Sequence, residues 1–189
     1  MNQTALESAL VVIDVQDSFL VGPRWARRSS PDFQPKLLSL IEGYRRAGKP
    51  VFYFLHSDGD EGFATDHPAY KLMDFLSPRG DEPVLEKVTR NCFTSTPFLP
   101  LLLARGVRRL VVTGISMEQC CETTTRVAAD LGFAVDFVTE CTVTFPIANP
   151  GRPGVELGVD AIWERTEAVL RGRFARIRTA AEVLADLEG

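Results

Sequence analysis

Three residues in this chain could together perform nucleophilic chemistry: Cys120, Asp14 and Lys87. Cys120 is read as lying just inside a helix that follows a strand and a glycine turn. There the unpaired N–H groups and the positive end of the helix dipole would lower its pKa and favour the thiolate. The same N–H groups, with that of Ser116 in the turn, could bind the oxyanion of a tetrahedral intermediate. Asp14 ends an apolar run, so its carboxylate would be partly desolvated and its pKa raised; such a group can take the thiol proton and later deliver it to a leaving amine. Lys87, beside both, would balance the thiolate and hold the carboxylate ionised. Each residue alone has an inert reading: a free cysteine is usually a packing residue, an aspartate at a strand end a cap, and a lysine a surface group.

The elements that must position these groups alternate between strand and helix. Ala9-Leu-Val-Val-Ile13 is apolar without alternation, the pattern of a strand buried on both faces of a parallel sheet. Further strands are predicted over Val51 to Leu55, at Val84-Leu85, over Leu110 to Thr113, Ala134 to Val138 and Phe174 to Ile177. Helices are predicted over Pro35 to Ala47, Tyr70 to Leu76, Pro97 to Arg105, Glu118 to Leu131, Asp160 to Leu170 and Ala180 to Leu187, several stopped by glycine. The stretch from Thr142 to Gly158, with Pro146, Pro150 and Pro153, reads as an irregular excursion, and His56 to His67 as a loop over the sheet edge. This order gives an α/β fold: a three-layer α/β/α arrangement around an open, mainly parallel six-stranded sheet. In such sheets ligands bind beyond the carboxyl ends of the strands, which nominates Asp14, His56, Lys87 and the Gly114 to Cys120 turn.

The bulk properties exclude several classes of function. At 189 residues and 45% hydrophobic composition, one domain spanning 1–189 is expected. The net charge of -4 and the scattered basic residues give no nucleic-acid footprint. Apolar runs are too short for a membrane span, and the opening Met1 to Ser8 lacks the form of a signal segment, so a cytoplasmic protein is expected. Four cysteines, none in a CxxC arrangement, form neither a disulfide framework nor a zinc site, so reduced thiols are expected.

Three motifs in order carry a family resemblance. Asp14-Val-Gln-Asp-Ser-Phe19 follows a buried strand, Lys87 is followed by Phe93 and Thr96, and Gly114 precedes Cys120 in Gly114-Ile-Ser-Met-Glu-Gln-Cys120-Cys-Glu-Thr-Thr124. Together they resemble the isochorismatase-like superfamily, in its cysteine hydrolase branch with nicotinamidases and N-carbamoylsarcosine amidohydrolases, over about Ala9 to Thr142. The resemblance implies that superfamily's Rossmann-like fold, an Asp-Lys-Cys triad at Asp14, Lys87 and Cys120, and a cis peptide between Ile115 and Ser116. It also implies hydrolysis of a carbon–nitrogen bond in a small-molecule amide through a thioester, without a cofactor, in a homo-oligomer. Within the resemblance, the register from Gly114 and Thr124 implies that Cys120, not Cys121, is the nucleophile, and neighbours on a helix point about 100° apart. Cys92 and Cys141 read as packing residues.

Two departures matter. Ser116-Met117 replaces an Ala-Thr pair common in the superfamily, and the Asp-x-His metal motif of nicotinamidases is absent. His56, Asp58, Asp60, Asp66 and His67 occupy that loop instead and read as a solvated loop rather than a metal site, with His56 at the pocket rim. Phe19, Trp25, His56, Phe93 and Met117 are expected to line the substrate pocket. Two competing readings are vinyl ether hydrolysis of the isochorismatase type, which proceeds without the cysteine, and a non-catalytic metabolite-binding member, which would be expected to have lost a triad residue.

Overall fold

The computed structural model describes residues 7–60 and 62–188, so the polar opening read as lacking a signal segment lies largely outside the described residues. Eight strands and five α-helices are present among them. They are β1 (Ser8–Ile13), α1 (Phe33–Arg46), β2 (Val51–His56), β3 (Val84–Lys87), α2 (Phe98–Ala104), β4 (Arg109–Ile115), α3 (Glu122–Asp130), β5 (Ala134–Val143), β6 (Ile147–Ala148), β7 (Glu156–Leu157), α4 (Val159–Leu170), β8 (Arg176–Ile177) and α5 (Ala180–Glu188). Six strands form a sheet in the order β3-β2-β1-β4-β5-β8, and every pairing in it is parallel.

The unbroken apolar character of β1 has its cause in this layering. Side chains alternate across a strand, so Leu10 and Val12 enter one core with Tyr53, Val111 and the buried faces of α1 and α5. Ala9, Val11 and Ile13 enter the other with Phe52, Phe54, Val112 and residues of α2, α3 and α4. A strand covered on both faces has no place for a solvated side chain, and all six β1 residues are buried. The first core closes tightly at one point. A Cβ on Gly43 of α1 would lie 2.3 Å from Leu184 Cδ2 of α5, so a glycine lets the two helices approach.

Strand order reverses direction at β1, whose two neighbours are β2 and β4. The carboxyl ends of these central strands therefore open a crevice, the usual ligand site of such sheets. Gly114 makes the junction of β1 and β4 possible. Its φ is +122°, and an added Cβ would lie 2.0 Å from the Ile13 carbonyl oxygen. Just before Gly114, the pairing of β4 with β5 jumps from Val112–Phe137 to Gly114–Thr142.

Several predicted elements need correction. Tyr70 to Leu76 is not a helix, because its backbone is taken by the turn after β1: Asp17 N–H donates to Lys71 O at 2.9 Å and Met73 N–H to Val15 O at 3.0 Å. The helix expected from Glu118 is a π-helical turn over Met117–Cys121, with α3 proper beginning at Glu122. The Thr142 to Gly158 excursion contains an unforeseen antiparallel pair, β6 with β7.

Candidate active site

The crevice collects its residues from the ends of four adjacent strands. Asp14 follows β1 directly and takes a left-handed backbone, φ 51°, a conformation that aspartate tolerates better than most residues. Its N–H donates to Phe54 O at 3.1 Å, and its carbonyl accepts from Gln16 N–H at 2.9 Å, so the turn is anchored on both sides. Gln16 ties that turn to β2 with a fully buried side-chain amide. Its Oε1 accepts from His56 N–H at 2.8 Å, and its Nε2 donates to His56 O at 3.1 Å. Lys87 ends β3 and is paired in register with His56, which puts both side chains on one face of the sheet.

Cys120 reaches the same point from β4. The Ile115–Ser116 peptide is cis, and Ser116 O then accepts from both Gln119 N–H and Cys121 N–H at 3.2 Å, the second bond closing the wide π turn. The Lys87 ammonium joins the three elements. It donates to Asp14 Oδ2 at 2.8 Å and to Thr89 O at 3.2 Å, and its nitrogen lies 3.3 Å from Cys120 Sγ. Asp14 Oδ1 is buried with no hydrogen-bond partner.

The electrostatics of this cluster reverse one expectation. The Cys120 thiol is pushed up to about 12, first by burial and then by the negative charge of Asp14, with Lys87 opposing both. The expected depression of its pKa is thus overturned: a helix end exposed to water would favour a thiolate, but here the thiol is nearly enclosed beside a carboxylate. Burial also raises the Asp14 pKa, against the pull of Lys87. Burial alone would lower Lys87, but the Asp14 carboxylate and, at the high pH where Lys87 itself titrates, the Cys120 thiolate outweigh it and raise its pKa. One ammonium therefore shares the site with one negative charge, which rests on the intrinsically stronger acid, Asp14, while the thiol keeps its proton.

The cavity above these groups has a volume of about 180 Å³. Beyond Asp14 and Cys120 it is lined by Ser116, Gln119, Phe19, Phe63, His56, Asp58, Asp60, Arg24 and Arg90. Phe19 and His56 were expected here. Trp25, Phe93 and Met117 do not line it. Met117 and Phe93 pack into the core beneath α2 and α3, Phe93 against the rings of Phe98 and Phe133. Trp25 sits beyond Phe145 and lines a separate cavity with Leu20, Arg28 and Met73.

Sequence reasoning missed Arg24, Phe63, Arg90 and Gln119. Arg24 lies over Phe19 and Phe63 at 5.9 and 5.8 Å from the ring centroids, and Arg90 contacts His56 Nε2 and Asp58. No spacing rule marks a loop arginine for such a place. Among the described residues, no three His, Cys, Asp or Glu side chains gather in a way that could hold a metal ion, and all four cysteines are free thiols. No helix among the described residues is long and apolar enough to cross a membrane.

Fold and site together define a class: a parallel α/β protein with a buried Asp-Lys-Cys cluster at the reversal point of its sheet. Comparison with known proteins gives the family. The isochorismatase domain model matches residues 8–152, and the chain belongs to that family. It is 24% identical over 183 residues to an isochorismatase family protein of Bacillus subtilis, covering 95% of this chain and 96% of that one. It is 30% identical over 155 residues to nicotinamidase 3 of Arabidopsis thaliana, covering 73% and 74%. An isochorismatase-family structure from Chromobacterium violaceum superimposes with a TM-score of 0.88 at 27% identity, covering 100% of this chain and 97% of the other.

Proposed function

We propose that this protein is a cysteine-dependent hydrolase that cleaves a carbon–nitrogen bond of a small amide through a thioester. The observation that carries this reading is the contact of a single buried ammonium, that of Lys87, with both the Asp14 carboxylate and the Cys120 sulfur at the wall of a cavity. The 30% identical relative named as a nicotinamidase supports an amide as substrate.

In the first half-reaction Asp14 takes the Cys120 proton as the sulfur attacks the carbonyl carbon. The thiolate therefore arises only as it is consumed. The carbonyl oxygen becomes an oxyanion held by backbone N–H groups of the Ser116 to Cys120 turn. Asp14 then protonates the nitrogen, the carbon–nitrogen bond breaks, and the amine leaves a thioester on Cys120. Water attacks that thioester with Asp14 as base, and the departing sulfur recovers its proton from Asp14, restoring the resting site. Lys87 stays charged throughout and offsets the single negative charge as it passes between carboxylate, sulfur and oxyanion.

Turnover is tested on a panel of nicotinamide, maleamate, N-carbamoyl compounds and ureido acids. The Cys120→Ala variant should lose all activity on any amide the wild type hydrolyses; full activity in that variant would sink the mechanism.

A further inference from the structure

Resting on that reading, we propose that Arg90 locks His56 as its neutral Nδ1–H tautomer, making His56 a hydrogen-bond donor that holds an oxygen of the substrate in the Cys120 cavity. Arg90 NH1 is in hydrogen-bond contact with His56 Nε2, and both lie 3.3 Å from Asp58 Oδ2. A guanidinium has donors only, so in its contact with Arg90 the Nε2 atom accepts and carries no proton, and the Asp58 carboxylate then pairs with the guanidinium rather than with an Nε2–H. In a neutral ring the proton is then on Nδ1. Burial and the nearby charge of Lys87 both depress the His56 pKa, which agrees with a neutral ring.

That leaves Nδ1–H to be satisfied. His56 is 3% exposed, and its Nδ1 is buried with no hydrogen-bond partner. A donor in that condition is costly unless something arrives to accept from it. Asp14 lines the same cavity as His56 and carries a second buried orphan, the acceptor Oδ1. A substrate that brings an acceptor oxygen together with an N–H group, as an amide or carbamoyl compound does, satisfies both. The β2–β3 register places His56 beside Lys87, so the donor stands next to the reacting cluster rather than across the fold from it.

Arg90 acts through His56 and is a positioning residue, while His56 would touch the substrate. The Asp58 carboxylate completes the arrangement by holding Arg90 against the ring, and Asp60 N–H in turn donates to Asp58 Oδ1 at 3.1 Å. The turn after β3 therefore places a side-chain cation, Arg90, beside a histidine and an aspartate at the end of β2.

The tautomer is read directly by nitrogen-15 NMR of histidine-labelled protein at pH 7. The chain has 2 histidines, and His56→Asn leaves the signals of His67 alone, which assigns His56. The expected result is a protonated Nδ1 and an unprotonated Nε2 in the wild type, shifting toward the Nε2–H form in Arg90→Ala. An Nε2–H tautomer or an imidazolium in the wild type overturns the proposal.

Kinetics then test the donor. Asparagine can present an N–H near the Nδ1 position and glutamine near Nε2. With maleamate and N-carbamoylglycine as probes, His56→Asn should keep kcat/KM within about tenfold of wild type, and His56→Gln should lose at least tenfold more. Equal activity in the two variants overturns the proposal. Failure of the wild type to hydrolyse any amide sinks the hydrolase reading instead, and the NMR result still decides the tautomer.

Discussion

Lys87 and Asp14 form an ion pair of 2.8 Å whose side chains are 0% and 1% exposed. A pair so enclosed is held by geometry and mutual charge rather than by solvent, and removing one member strands the other. Lys87→Met should therefore cost about 3–5 kcal/mol of stability, because it leaves a buried, uncompensated carboxylate. Asp14→Leu with Lys87→Met removes both charges and should recover most of that loss without any activity. Denaturant melts of the three proteins check this, and a double variant no more stable than the single one would contradict it.

The Cys120 thiol is expected to be slow toward iodoacetamide at neutral pH. Its pKa, pushed up to about 12, leaves little thiolate at pH 7, so labelling should climb about tenfold per pH unit between 7 and 10. Mass spectrometry of the modified peptide follows it. A rate that is already at its plateau by pH 7 would show that Lys87 outweighs burial.

The acid limb of activity reports Asp14. As base it must be ionised, and burial raises its pKa above the ordinary carboxylate value of 3.8. The sign follows: kcat/KM is full above the raised pKa and falls about tenfold per unit as pH drops below it. The midpoint should lie above that ordinary value. Lys87 is raised, so it loses no proton in the neutral range and adds no alkaline limb there.

Gly114 and Gly132 separate two reasons for glycine. At Gly132, φ +88° with open space around it, alanine meets only the backbone penalty and should cost about 1 kcal/mol. At Gly114 the added methyl would also collide with the Ile13 backbone, so Gly114→Ala should exceed the ~1–3 kcal/mol of ordinary overpacking. Thermal melts of both variants test the contrast; similar losses would refute it.

The alternating apolar blocks of the chain were enough to establish a parallel α/β sheet, because a strand buried on both faces has no place for a solvated side chain, as β1 shows. The residues at strand ends, Asp14, His56 and Lys87, were legible for the same reason: a charge that stops an apolar run stands at the sheet's carboxyl edge. Cys120 was legible only through the family resemblance, in which a glycine precedes the nucleophile by six positions. Elsewhere local pattern lost to long-range bonding. Tyr70 to Leu76 has helical spacing, but its backbone groups are taken by the turn after β1.

Tertiary structure alone decided the rest. Whether Cys120 rests as thiol or thiolate depends on how much water the cavity excludes, which no spacing records. Met117 and Phe93 turned into the core while Arg24 and Arg90 took the rim, because which way a loop side chain points is set by what packs behind it. The contact of Arg90 with His56 joins positions 34 residues apart, and only the folded chain brings them together.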